Sequence, residues 1–99
     1  MSKIPEAIRA AIEEAIDRFL SDPAKSREHH EDNLIKLGIE PTVDSILAMF
    51  CGVLIGSMGM IELKGRGQTE AKEIIDRYFP LLERRAWEMR QAMLNERMK

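Results

Sequence analysis

Seventeen consecutive residues, Ser45 to Ile61, carry no charged side chain in a chain of 99 residues. Asp44 and Glu62 close the two ends of this run, and small residues recur within it at Ala48, Gly52, Gly56 and Gly59. That spacing places all four on one side of an α-helix. A helix that is apolar all round must be covered all round. So short a chain has little else to cover it with, which predicts a partner, most simply a second copy of the same chain.

A bilayer is the other available cover. A membrane-spanning helix needs about 20 apolar residues, with about 17 at the lower edge. Gly52-x-x-x-Gly56 also matches the small-xxx-small pattern of packed transmembrane helices. Against this, the flanking segments are amphipathic and have apolar faces of their own to bury. Three glycines also lower the hydrophobicity of the run. The sequence therefore predicts a buried central helix and no membrane partner.

The length fits one helical domain over residues 1–99, because halves of it would be too small to build cores. The formal net charge of -2 argues against a broad electrostatic grip on nucleic acid, and no nucleic-acid partner is expected. The charge is unevenly spread. Residues 1–44 hold 6 Lys/Arg against 10 Asp/Glu, and residues 45–99 hold 9 against 7. This asymmetry favours an ordered assembly, head-to-tail or antiparallel. Cys51 is the only cysteine, so an intrachain disulfide is excluded, and its place in the apolar run marks a small buried hydrophobe. Lys3, Glu6 and Arg9 fall where a secretion signal needs an apolar stretch, so a cytoplasmic location is expected.

Four helices are predicted, and no strand. The first spans about Pro5 to Leu20, with Ile8, Ile12, Ala15, Ile16 and Phe19 as its apolar stripe. Asp22-Pro23 reads as an N-cap and a first-turn proline that start the second. Gly38 ends it, with Ile39 folding back toward Leu34. Pro41 and Thr42 lead into a third helix from Val43 to about Leu63, which Lys64-Gly65-Arg66-Gly67 should break. The fourth runs from about Thr69 to near the C-terminus on Ala71, Ile75, Tyr78, Leu82, Ala86, Met89 and Met93, with a kink expected ahead of Pro80.

Three clusters are candidates for chemistry. In the first, Glu28, His29 and Asp32 of helix two would come near Glu14 and Asp17 of helix one in a hairpin. Carboxylates and imidazole on facing helices are how bundles hold divalent metals. A solvated helical face, with Lys25 and Arg27 balancing charge, explains the same residues without a metal. Glu13-Glu14-x-x-Asp17 resembles the acidic motif of the all-α nucleoside triphosphate pyrophosphohydrolases. The resemblance implies a Mg²⁺ or Mn²⁺ cofactor on these carboxylates and a second acidic pair before an apolar helix. Here that pair is Glu40 and Asp44, four apart rather than three, with Pro41 between them.

The second cluster is the loop from Lys64 to Thr69, in which Lys64 and Arg66 could receive an anion at the following helix start. A helix stop followed by a helix start accounts for it more simply. The third is Arg84-Arg85-x-Trp87-x-x-Arg90, able in principle to grip phosphate and stack a base. Glu83 and Glu88 weaken its field, and packing of Trp87 on a neighbouring chain accounts for it better. The methionines, Met89 and Met93 among them, suit core or interface gaps.

Taken together, the sequence predicts an all-α, four-helix antiparallel bundle-like domain with a long apolar central helix, completed by dimerisation. The contact is expected at Ala48, Gly52, Gly56, Gly59, Trp87, Met89 and Met93. The function expected is that of a small homo-oligomeric interaction or scaffold protein, open to a further protein partner, with no assignable reaction and no cofactor. The alternative is a metal-dependent pyrophosphohydrolase-like enzyme using Glu14, Asp17, Glu28, His29 and Asp32.

Overall fold

The computed structural model describes residues 4–66 and 71–97, with the side chains at 63–66, 71–72 and 97 outside that description. The protein is all-α. Helix α1 spans Glu6–Ser21, α2 Pro23–Lys36, α3 Val43–Arg66 and α4 Ala71–Arg97, and the described residues contain no strand.

Local chemistry sets the helix ends. Asp22, in an extended conformation, accepts a hydrogen bond from the Lys25 backbone N–H at 3.2 Å, and Pro23 occupies the first turn. Gly38 adopts φ 76°, closed to most side chains, and lets α2 end in a Schellman turn. In that turn the Ile39 N–H reaches the Leu34 carbonyl at 2.9 Å and the Gly38 N–H reaches Ile35 at 3.0 Å. Thr42 caps α3 reciprocally: its hydroxyl accepts from the Ser45 N–H at 3.1 Å, while its own N–H donates to the Ser45 hydroxyl at 2.8 Å.

Helix α3 ends at Arg66, within the predicted breaking segment Lys64-Gly65-Arg66-Gly67 and a few residues past the expected end near Leu63. One glycine costs a helix only about 1 kcal/mol, which neighbouring turns can absorb. Helix α4 continues through Pro80.

The core is one cluster drawn from all four helices. Ile12, Ile16 and Phe19 of α1 meet Leu34 of α2, Ile46, Leu47 and Leu54 of α3, and Tyr78, Leu82, Met89 and Met93 of α4. An aromatic seam ties three helices together: the Phe19 ring lies 4.8 Å from Phe50, and His30 meets Phe50 edge-on at 5.8 Å. In α4, Ile74 and Leu81 are buried and Ile75 is exposed, so the inward face is turned slightly from the predicted stripe. The reason is polar. The turned face also carries Arg77 and Arg85, whose side chains are 6% and 19% exposed, toward carboxylates of α3 and α1.

Helix α4 returns alongside α3, with Arg90 at Asp44 and Tyr78 at Glu62. At about 1.5 Å per residue, α3 and α4 are roughly 36 and 40 Å long, and α1 and α2 only roughly 24 and 21 Å. Two short helices thus cover only part of two long ones. Helix α3 is long and apolar enough to cross a membrane by length and composition, yet only 22% of its most apolar stretch is buried.

Candidate interaction surface

Arg90 donates to the Asp44 carboxylate across the α3–α4 pair, and both side chains remain open to solvent. This bond sets which edges of the two helices lie side by side. Forward from Asp44, Ala48, Gly52 and Gly56 follow at four-residue steps, each turned about 40° further round α3. Back from Arg90, successive turns of α4 bring Trp87, Glu83 and Phe79. All six are exposed. Around the α3–α4 pair, α3 exposes small residues and α4 exposes bulky rings. Val53 and Met60 add exposed apolar side chains on α3.

The exposures decide the character of this surface. Trp87 is 67% exposed, Phe79 55%, Met60 66% and Val53 52%. Single exposed apolar residues are ordinary, whereas several of them on two neighbouring helices make a candidate interaction surface. A Cβ added at Gly52 or Gly56 would meet nothing within 4 Å, so this side of α3 is bare backbone in the single chain.

Four of the seven predicted contact residues, Ala48, Gly52, Gly56 and Trp87, lie on this open surface. The other three belong to the interior of the chain instead. Met89 and Met93 are completely buried in the core, and an added Cβ at Gly59 would stand 3.1 Å from Ile74 Cγ2. Gly59 is small because α4 of its own chain passes over it.

The predicted metal residues do not converge. Glu14 pairs with Arg18 of its own helix at 2.7 Å, and Glu28, His29 and Asp32 stand exposed on α2. Arg85 of α4 takes Asp17 at 3.0 Å, Glu13 at 3.1 Å and Glu88 at 2.9 Å. The acidic side of α1 therefore faces an arginine of α4 rather than the histidines of α2. Hydrogen bonding to Asp17, ahead of the opposing effect of burial, raises the Arg85 pKa above its ordinary value. Among the described residues no three His, Cys, Asp or Glu gather closely enough to hold a metal ion. Glu40 is exposed, and Asp44 is held by Arg90.

The predicted anion loop falls mostly outside the described residues, as do the side chains of Lys64 and Arg66. The Arg84–Arg90 cluster is divided between faces: Arg85 turns to α1, Arg90 to Asp44, and Arg84 to solvent. The charge asymmetry is likewise met within the chain, since Arg85 and Arg90 of the basic half neutralise acids of the first half.

Two buried polar groups escaped the sequence reading. Glu62 is 3% exposed, bonded by Arg77 and by the Tyr78 hydroxyl at 2.8 Å. In the sequence it reads only as the polar end of an apolar run. His30 is buried against Phe50, and its Nδ1 has no hydrogen-bond partner. Burial, and secondarily His29, holds its pKa below the usual imidazole range. Burial also pushes the Cys51 thiol up, away from reactivity. Beside His30 on α2, Arg27 joins Glu31 at 2.7 Å and Glu96 at 3.0 Å, tying α2 to the end of α4.

Compared with known protein families, with curated proteins and with solved structures, the chain has no match.

Proposed function

We propose that the protein is a cytoplasmic helical interaction or scaffold protein that works as a homodimer. In this reading an antiparallel four-helix bundle is completed by a second copy laid across the open surface of α3 and α4. The observation that carries it is that surface itself: Trp87, Phe79, Met60 and Val53 exposed, with the bare backbone of Gly52 and Gly56. Burying each large side chain contributes about 1.5–3 kcal/mol. These four are already one third to one half covered, so each contributes about half of that. Used twice in a twofold contact, they sum to the same order as the roughly 4–15 kcal/mol lost when two molecules associate. Twofold dimers are also the commonest closed assembly.

Light scattering coupled to gel filtration tests the reading. A species of twice 11.4 kDa is expected at micromolar concentration. Gly56→Leu should keep its helical circular dichroism, since its side chain meets nothing in its own chain, and should elute as the monomer. A parent chain that is monomeric at 100 µM would overturn the proposal. So would a monomer that floats with phospholipid vesicles, which would assign the surface to a bilayer.

A further inference from the structure

The outward stripe of α4 has an internal order that its apolar character alone does not require. Its members are Phe79, Glu83, Trp87, Arg90 and Leu94, spaced three or four residues apart and therefore on one side of the helix. Phe79 and Leu94 are centred on the point between Ala86 and Trp87, and so are Glu83 and Arg90. A second α4 running the opposite way about that point sets each residue against its counterpart: Phe79 against Leu94, and Glu83 against Arg90. Trp87 then sits at the axis beside Ala86 and its own copy. Each opposed pair occurs twice, as a twofold contact demands. A parallel arrangement would instead set Glu83 against Glu83 and Arg90 against Arg90, two like-charge contacts.

From this charge complementarity we infer that the occupant of the open surface is a second copy whose α4 lies antiparallel to α4, with Glu83 of each copy meeting Arg90 of the other and Trp87 at the twofold axis. The inference rests on the homodimer reading and gives it a geometry. Arg90 is already held by Asp44. A guanidinium has five donors in a planar fork and can take a second carboxylate. Arg85 does so three times over in this same chain, with Glu13, Asp17 and Glu88. Asp44 thus fixes the Arg90 side chain on the open edge of α4, so less rotamer freedom is lost on association. Aromatic and arginine side chains at the centre of a patch are also the groups that dominate association energies.

The test is complementation between two charge reversals, followed by sedimentation at low salt, where screening is weak. In a Glu83→Lys homodimer both cross-pairs become lysine against arginine. In an Arg90→Glu homodimer both become glutamate against glutamate. Each variant alone is expected to dimerise more weakly by about tenfold or more. Mixed one to one, the lysine introduced at position 83 of one chain meets the glutamate introduced at position 90 of the other, while native Glu83 meets native Arg90. Both contacts are then attractive, and a heterodimer of near-parental affinity is expected. Arg84→Glu, off the stripe, should leave dimerisation unchanged.

Arg90→Glu also places a second acid beside Asp44, so its fold is checked by circular dichroism. If it is unfolded, a crosslink decides: Trp87→Cys in a Cys51→Ser background should oxidise to a covalent dimer, and Arg84→Cys should not. A parent dimer with variants that lose no affinity, a mixture that does not recover, or a Trp87→Cys variant that does not crosslink would overturn the antiparallel arrangement and leave the dimer standing. A monomeric parent would overturn both.

Discussion

The Tyr78 hydroxyl donates to Glu62 Oε1 at 2.8 Å inside the α3–α4 contact, with the carboxylate side chain 1% exposed. Arg77 holds the other oxygen of the same carboxylate. A buried charge is tolerated only when its hydrogen bonds are met, and here two consecutive residues of α4 meet them. The group also specifies register, because sliding α4 along α3 by one turn would strand the carboxylate among apolar side chains. Tyr78→Phe keeps the ring in the core and removes only the donor. It is expected to lower unfolding stability by about 1–3 kcal/mol, read from urea denaturation midpoints. A loss below about 0.5 kcal/mol would show that the phenol contributes packing alone.

Gly59 and Gly56 read alike in the sequence but differ in what stands over them. A side chain at Gly59 meets Ile74 at once, whereas one at Gly56 meets open space within the chain. Gly59→Leu is therefore expected to overpack the α3–α4 contact and to cost about 1–3 kcal/mol or more. Thermal melts at concentrations below dimerisation would compare it with Gly56→Leu, which should not fall below the parent. Equal melting temperatures for the two would contradict the placement of α4 over Gly59.

How much the sequence disclosed follows from how local each signal is. The Asp22-Pro23 start, the Gly38 end and the Thr42 restart are short-range chemistry, and each appears where the residues placed it. The stripe Ile8, Ile12, Ile16 and Phe19 is likewise buried as its period requires. The pairing of Arg85 with Glu13 and Asp17 joins residues about 70 positions apart. Period alone does not reveal such a bond, and without it the acids of α1 looked available to α2. Met89 and Met93 were ambiguous for another reason: a methionine stripe looks the same whether the helix it fills against belongs to its own chain or to another.

The same distinction separates acids of similar sequence context. Arg85 keeps a mostly covered side chain among Glu13, Asp17 and Glu88, so Arg85→Ala leaves three neighbouring carboxylates without their shared cation and removes its packed stem. A loss of about 1–3 kcal/mol is expected in denaturant melts. Glu28→Ala and Asp32→Ala, on the solvated face of α2, should each change stability by no more than about 0.5 kcal/mol. Isothermal titration with Mn²⁺ is the companion measurement. One saturable site per chain, lost in Glu28→Ala, would instead bring these residues together as a metal site.

His30 gives the fold a pH dependence whose sign can be worked out. Its imidazole is buried against Phe50, and burial, then His29, lowers its pKa from the ordinary 6.5. As pH falls through about 6.5 the unfolded chain takes up a proton on this ring, while the folded chain does so only at lower pH. In that window the unfolded state binds more protons, so stability declines as pH declines. The contribution is whole above about 6.5 and fully lost below the folded pKa. The nearby Arg27, Glu31 and Glu96 are joined to one another, and His29 of the same helix stands 5.1 Å from the His30 ring. Urea midpoints measured from about pH 7.5 to about pH 5.5 should fall for the parent chain and stay nearly level for His30→Phe. A His30→Phe profile as steep as the parent's would move the origin of the pH dependence to another group.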